Sequence, residues 1–126
     1  MSIEQEIQDK GLTNPRVTPA NIEDNIFEEF YFTAEHGVFG RTGWEADSET
    51  TVGNVVFHTL PALELLTFCV LVLKNGFTVT GESACVSHEN FDAEIGRKIA
   101  RENAINKIWP LMGYELKQRL HEAKTN

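Results

Sequence analysis

The chain is 126 residues long, 41% hydrophobic and 24% charged, with a formal net charge of -8. That length makes one domain able to build its own core, and the composition is that of a globular protein in water. So acidic a chain lacks the basic footprint that phosphate backbones require, which argues against a nucleic-acid partner.

The opening MSIEQEIQDK mixes charges without an apolar stretch, so residues 1–14 read as flexible polar chain and not as a secretory signal. Thr18-Pro19 is a helix start, with Thr18 as N-cap and Pro19 at the first helical position. Ile22, Ile26, Phe27 and Phe30 then share one face, which predicts an amphipathic helix over residues 19 to about 29, with extended chain from Phe30 to Thr33. Gly37, Gly40 and Gly43 punctuate a variable loop region over 37–60, holding at most one strand near Val55 to His58.

Leu65 to Leu73 reads as a strand, and Asn75-Gly76 as the two-residue type I′ loop of a β-hairpin spanning about 65–86. That loop predicts Leu73 opposite Thr78 and Phe68 opposite Ser83. Phe68, Val70, Val72, Phe77 and Val79 then form the core face, and Cys69, Leu71 and Leu73 lie on a mixed face open to a partner. A helix follows from about Phe91 to Trp109, stopped by Pro110, with Phe91, Ile95, Ile99, Ile105 and Trp109 as its apolar stripe. Gly96, Ala100 and Ala104 recur on another face and suit close approach of a sheet or helix. Gly113 separates a last helical stretch from Tyr114 to about Ala123. The expected fold is α+β: a small antiparallel sheet built on a central β-hairpin, with an N-terminal helix and C-terminal helices over it.

The run from Ala62 to Leu73 is too short for a bilayer and is interrupted by Glu64 and Thr67, so no membrane partner is expected. Cys69 and Cys85 read as small buried thiols in a reducing compartment. In Gly81-Glu82-Ser83-Ala84-Cys85 the place of a nucleophile elbow's second glycine is taken by Cys85, and the segment is the return arm of a hairpin, so Ser83 is not a nucleophile. His36, His58, His88 and His121 show no metal-ligand spacing. Gly37 to Gly43 lacks the lysine of a phosphate loop. No catalytic residues, metal or cofactor are expected, and the chain does not read as an enzyme.

One arrangement on the long helix is unusual. Arg97 and Arg101 stand four residues apart with like charge, and no acidic residue lies three or four positions from Arg101. Their counter-charge must come from a carboxylate elsewhere in the chain, from a second subunit, or from a bound anion. In the last case two guanidiniums would fork onto phosphate, and Phe77, Trp109 or Tyr114 could stack a base.

The stretch LKNGFTVTGESACV, followed by ENFDAEIGRKIARENAINKIWPLMGYELKQRL, resembles a family of small tailed-phage and prophage proteins named after gene products 49 and 66 of two enterobacterial phages. The likeness is close from about Leu66 to Leu120. NPRVTPANIEDNIFEEFYFTAEHG resembles the leader of many members, and residues 37–60 look particular to this chain. Met112 stands where members usually have glutamate before Gly-Tyr. The family brings no catalytic signature. The resemblance implies a protein made in the cytoplasm of an infected bacterium and not a virion part. Small phage proteins of this kind are often counter-defence factors, some of which soak up cyclic nucleotide or cyclic ADP-ribose signals. The expected function is therefore sequestration of a small phosphorylated ligand by a homo-oligomer. The alternative is an acidic inhibitor that uses residues 45–49 against a host defence protein.

Overall fold

The computed structural model describes residues 2–46 and 60–125. They form α1 (Ile3–Asp9), α2 (Pro19–Asp24), β1 (Ile26–Thr33), α3 (Ala34–Ala46), a helical turn α4 (Pro61–Glu64), β2 (Leu66–Leu73), β3 (Thr78–Ala84) and α5 (Ala93–Thr125). The fold is α+β: an antiparallel sheet in the order β1-β2-β3, with the long α5 laid across β2 and β3 and the N-terminal helices beside it. The expected strand near Val55 to His58 lies outside the described residues.

Thr18 caps α2 through a reciprocal box with Asn21, each side chain bonding the other's backbone N–H. The helix ends at Asp24, five residues before the expected boundary, and β1 begins at Ile26. The β-branched and aromatic content of IFEEFYFT favours a strand once β2 is available to pair with it. Of the expected helical face, only Ile22 is sealed in the core, and Phe27 is 67% exposed. The glycine-punctuated loop is helical through Ala46. Thr33 Oγ1 accepts from the His36 N–H and His36 Nδ1 accepts from the Thr33 N–H, a box that starts α3 despite its glycines.

The hairpin turns through three residues, not two. Gly76 N–H donates to the Leu73 carbonyl at 2.9 Å, and Leu73 N–H donates to the Phe77 carbonyl at 2.8 Å. Within the turn only Gly76 takes positive φ, at 90°, so Lys74-Asn75-Gly76 is a turn closed by a left-handed glycine. The register therefore sets Val72 opposite Thr78, Cys69 opposite Gly81 and Thr67 opposite Ser83, one residue from the expected pairing. A one-residue slip exchanges the faces. Thr67, Cys69, Leu71 and Leu73 are buried, and Phe68, Val70 and Val72 lie on the outer side.

The small-residue stripe of α5 selects the buried face. Ala100, Ala104 and Ile108 are fully buried against Cys69, Leu71, Leu73, Val79 and Ile22. At Gly81 even a methyl group would run into the Ala100 carbonyl oxygen and the Ala104 nitrogen, so helix and strand touch backbone to backbone. The expected stripe is displaced: Ile95 is 55% exposed and Ile99 43%. Nor does Pro110 stop the helix. It removes one N–H from the ladder, but Ile108 is anchored in the core before it, and Met112 packs against that core just after it.

Candidate ligand-binding groove

Because α5 continues past Pro110, its second half passes over the tip of the hairpin. There it encloses a groove of about 700 Å³ with α2 and the Lys74-Asn75-Gly76 turn. Leu73, Phe77, Leu111, Met112 and Leu116 supply its apolar surface, and Asn21, Asn25 and Asn75 its amides. Three cations, Arg16, Lys74 and Arg119, line it together with two carboxylates, Asp24 and Glu115. The volume is in the range of small-molecule sites.

The three cations differ in how they are held. Arg16 forks onto Glu4 of α1 with two bonds of 2.8 Å, which lowers the Glu4 pKa to about 2 and fixes α1 against the start of the fold. Arg119 pairs with Glu115 one turn earlier at 2.6 Å. Lys74 has its backbone N–H anchored on the Asn25 carbonyl at 3.0 Å, while its ammonium has no carboxylate partner among the described residues. The turn thus holds a free cation at a fixed place on the rim, beside Phe77, which is 55% exposed.

The five residues expected to bind ligand fall in separate places. Arg101 is already neutralised. Its Nη1 and Nη2 donate to the two oxygens of Glu23 on α2 at 2.9 and 2.6 Å, and its Nε and Nη2 to those of Glu29 on β1 at 3.3 Å each. Those bonds raise the Arg101 pKa and lower that of Glu23. Glu29 is held low first by the Tyr31 hydroxyl, which donates at 2.7 Å, and then by Arg101. The inference that Arg101 lacks a protein counter-charge is therefore overturned. Of the three sources of counter-charge, distant carboxylates of the same chain supply it, 72 and 78 positions away in sequence.

Arg97 has no ion-pair partner among the described residues and borders a hollow of only about 80 Å³ with Tyr31, Thr33, His36 and Phe91. That is too small for a nucleotide. Trp109 packs at the edge of the core. Tyr114, 75% exposed, lies thirteen residues beyond Arg101, about 20 Å along the helix. Only Phe77 lines the groove. Arg16, Lys74 and Arg119 escaped sequence reasoning because the groove exists only if α5 runs through Pro110. Arg119 with Glu115 also reads as an ordinary helical pair.

Residues 17–120 match the phage protein (N4 Gp49/phage Sf6 gene 66) family. The chain belongs to that family. No curated protein and no solved structure matches it. The matched span covers the sheet, α2 and α5 through Leu120, and so contains the groove apart from Arg16. Met112, the position at which the resemblance puts a glutamate in other members, lines the groove. A carboxylate there would add a negative charge to the lining, which the thioether does not.

A second polar cluster joins α3, α4 and the turn before α5. Glu35 lies beside Glu64, whose carboxylate accepts from the His88 Nε2–H at 3.1 Å. The neighbouring Glu64 carboxylate pushes the Glu35 pKa up, and Glu64 is pushed down by Glu35 and His88. One Glu35 oxygen is sealed from solvent without a hydrogen-bond partner among the described residues. Among the described residues no three groups are arranged to hold a metal ion, and no helix is long and apolar enough to cross a membrane.

Proposed function

We propose that this phage protein is an accessory counter-defence factor that binds a small phosphorylated immune signal, of the cyclic nucleotide or cyclic ADP-ribose type, and withholds it without degrading it. The observation that supports this reading is the groove: nucleotide-sized, and rimmed by Lys74, which has no ion-pair partner among the described residues, next to the exposed Phe77. Lys74 would take phosphate as a point charge, Phe77 would cover a base, and the asparagines would read polar edges. The site so assigned differs from the arginine pair expected on the helix, since Arg101 is committed to Glu23 and Glu29. The acidic-inhibitor reading rested on residues 45–49, whose side chains lie outside the described set, and only the net charge of -8 now favours it.

A thermal-shift screen with cyclic dinucleotides, cyclic trinucleotides and cyclic ADP-ribose isomers tests the proposal, because a ligand selective for the native state raises the melting temperature. At least one of them should stabilise the wild type, with affinity falling about tenfold or more in Lys74→Glu, the scale of one charge-assisted contact. The bound molecule should be recovered chemically intact after heating. Cleaved ligand would make the protein an enzyme, and no shift with any compound would refute the proposal.

A further inference from the structure

The strand β2, LTFCVLVL, is apolar on both faces, the pattern of a strand meant to be covered on both sides. Its helix-side residues are sealed by α5. On the other side Phe30, 54% exposed, and Phe32 of β1 adjoin the half-buried Phe68, Val70 and Val72; the Phe32 and Phe68 rings stack at 5.5 Å, and the Phe32 ring also lies beside Gly37 of α3. None of the three strands contains a lysine or arginine.

We infer that this outer face is the contact surface for a second copy of the chain, so that two sheets pack face to face about a two-fold axis. The charges on the face suit self-pairing. Glu28 stands at one corner, in the row with Val72 and Thr78, and Glu82 at the diagonally opposite one, in the row with Phe32 and Phe68. An axis along the strands, through β2, sets Glu28 over Thr78 of the second copy and Glu82 over Phe32. An axis across them, passing between the Phe30 and Phe32 rows, brings Glu82 to Thr80. In both, carboxylate avoids carboxylate, a threonine hydroxyl can donate to one of them, and the apolar residues of β2 meet those of the second copy.

Three strands spaced about 4.8 Å apart and about 25 Å long offer at most roughly 350 Å². A standard interface buries about 800 Å² per partner. The dimer is therefore weak and governed by concentration. The groove lies on the helix side, so pairing leaves both grooves open, and the inference stands apart from the ligand reading.

Sedimentation velocity from about 1 µM to about 200 µM reads the mass-action change directly. The wild type should pass from one chain to two across that range. Val70→Lys should stay a monomer throughout with an unchanged circular dichroism spectrum. Phe30→Lys, on a residue already half exposed, gives the same test should Val70→Lys fail to fold. A wild type that remains a monomer at the top of the range, or a dimer indifferent to a folded lysine variant, overturns the inference.

Discussion

Val70 and Leu71 are neighbours in one strand, similar in size and hydrophobicity, yet Leu71 is sealed beneath α5 and Val70 faces away from it. Glu28 and Glu29 divide in the same way on β1. Glu29 turns to the helix side, where Tyr31 and Arg101 bind it, and Glu28 to the open side beside Val72. Hydrophobicity along the strands does not distinguish the faces. The choice is made where backbones meet: Gly81, Ala100 and Ala104 let the helix sink onto one face. Every apolar contact on that side then forms at shorter range, and dispersion falls off steeply with separation.

The contrast can be broken most severely at that meeting point. Gly81→Val places branched carbon against the backbone of α5 and should destabilise the fold by about 4 kcal/mol or more, or prevent folding. Urea denaturation checks it, and a stable Gly81→Val protein would mean that the helix does not rest on β3 as described. Next comes the pair of neighbours. Leu71→Ala should cost about 2–5 kcal/mol. Val70→Thr should cost less than about 1 kcal/mol in urea titrations at about 1 µM, where the proposed dimer has dissociated. Equal losses at the two positions would erase the distinction between the faces.

Arg101 sharpens the comparison at its rim. Arg101→Ala leaves Glu23 and Glu29 facing each other and strips a mostly covered side chain from the surface, for an expected loss of about 1–2 kcal/mol. Glu29→Gln should lose more stability than Glu28→Gln in the same assay. The smallest effect is on pH dependence. Glu23 and Glu29 have folded pKa values below the ordinary carboxylate value. Their contribution is thus full above that ordinary value and disappears as pH falls through the lowered ones. Melting temperatures of the wild type should drop through this acid window, and Arg101→Ala should show a shallower drop. Parallel curves would detach the arginine from both glutamates.

Much of this architecture was legible in the residues, and what was not has identifiable causes. Thr18-Pro19 marked the start of α2, β2 was bounded to within one residue, and Gly96, Ala100 and Ala104 were recognised as a surface for close approach. The register is ambiguous in the sequence because Asn75-Gly76 suits both a two-residue and a three-residue turn, and apolar residues on both faces of β2 give no second vote. Pro110 suggests a stop because local propensity cannot register anchors on both sides of it. A helix ending there would leave no groove, since the groove's far wall is drawn from residues 111–119. Arg101 lacked partners within its own helix, and its true partners belong to elements far away in sequence. Local spacing could say that a counter-charge was required, but not where it would come from.

The most direct test of the central claim is to map where a bound cyclic nucleotide perturbs backbone amide resonances, with the ligand taken from the thermal-shift screen. The account predicts changes concentrated at Lys74 to Phe77, Asn21 to Asn25 and Leu111 to Leu116, and their loss in Lys74→Glu. Changes centred instead on Arg97, Tyr31 and His36, with the hairpin tip silent, would contradict it.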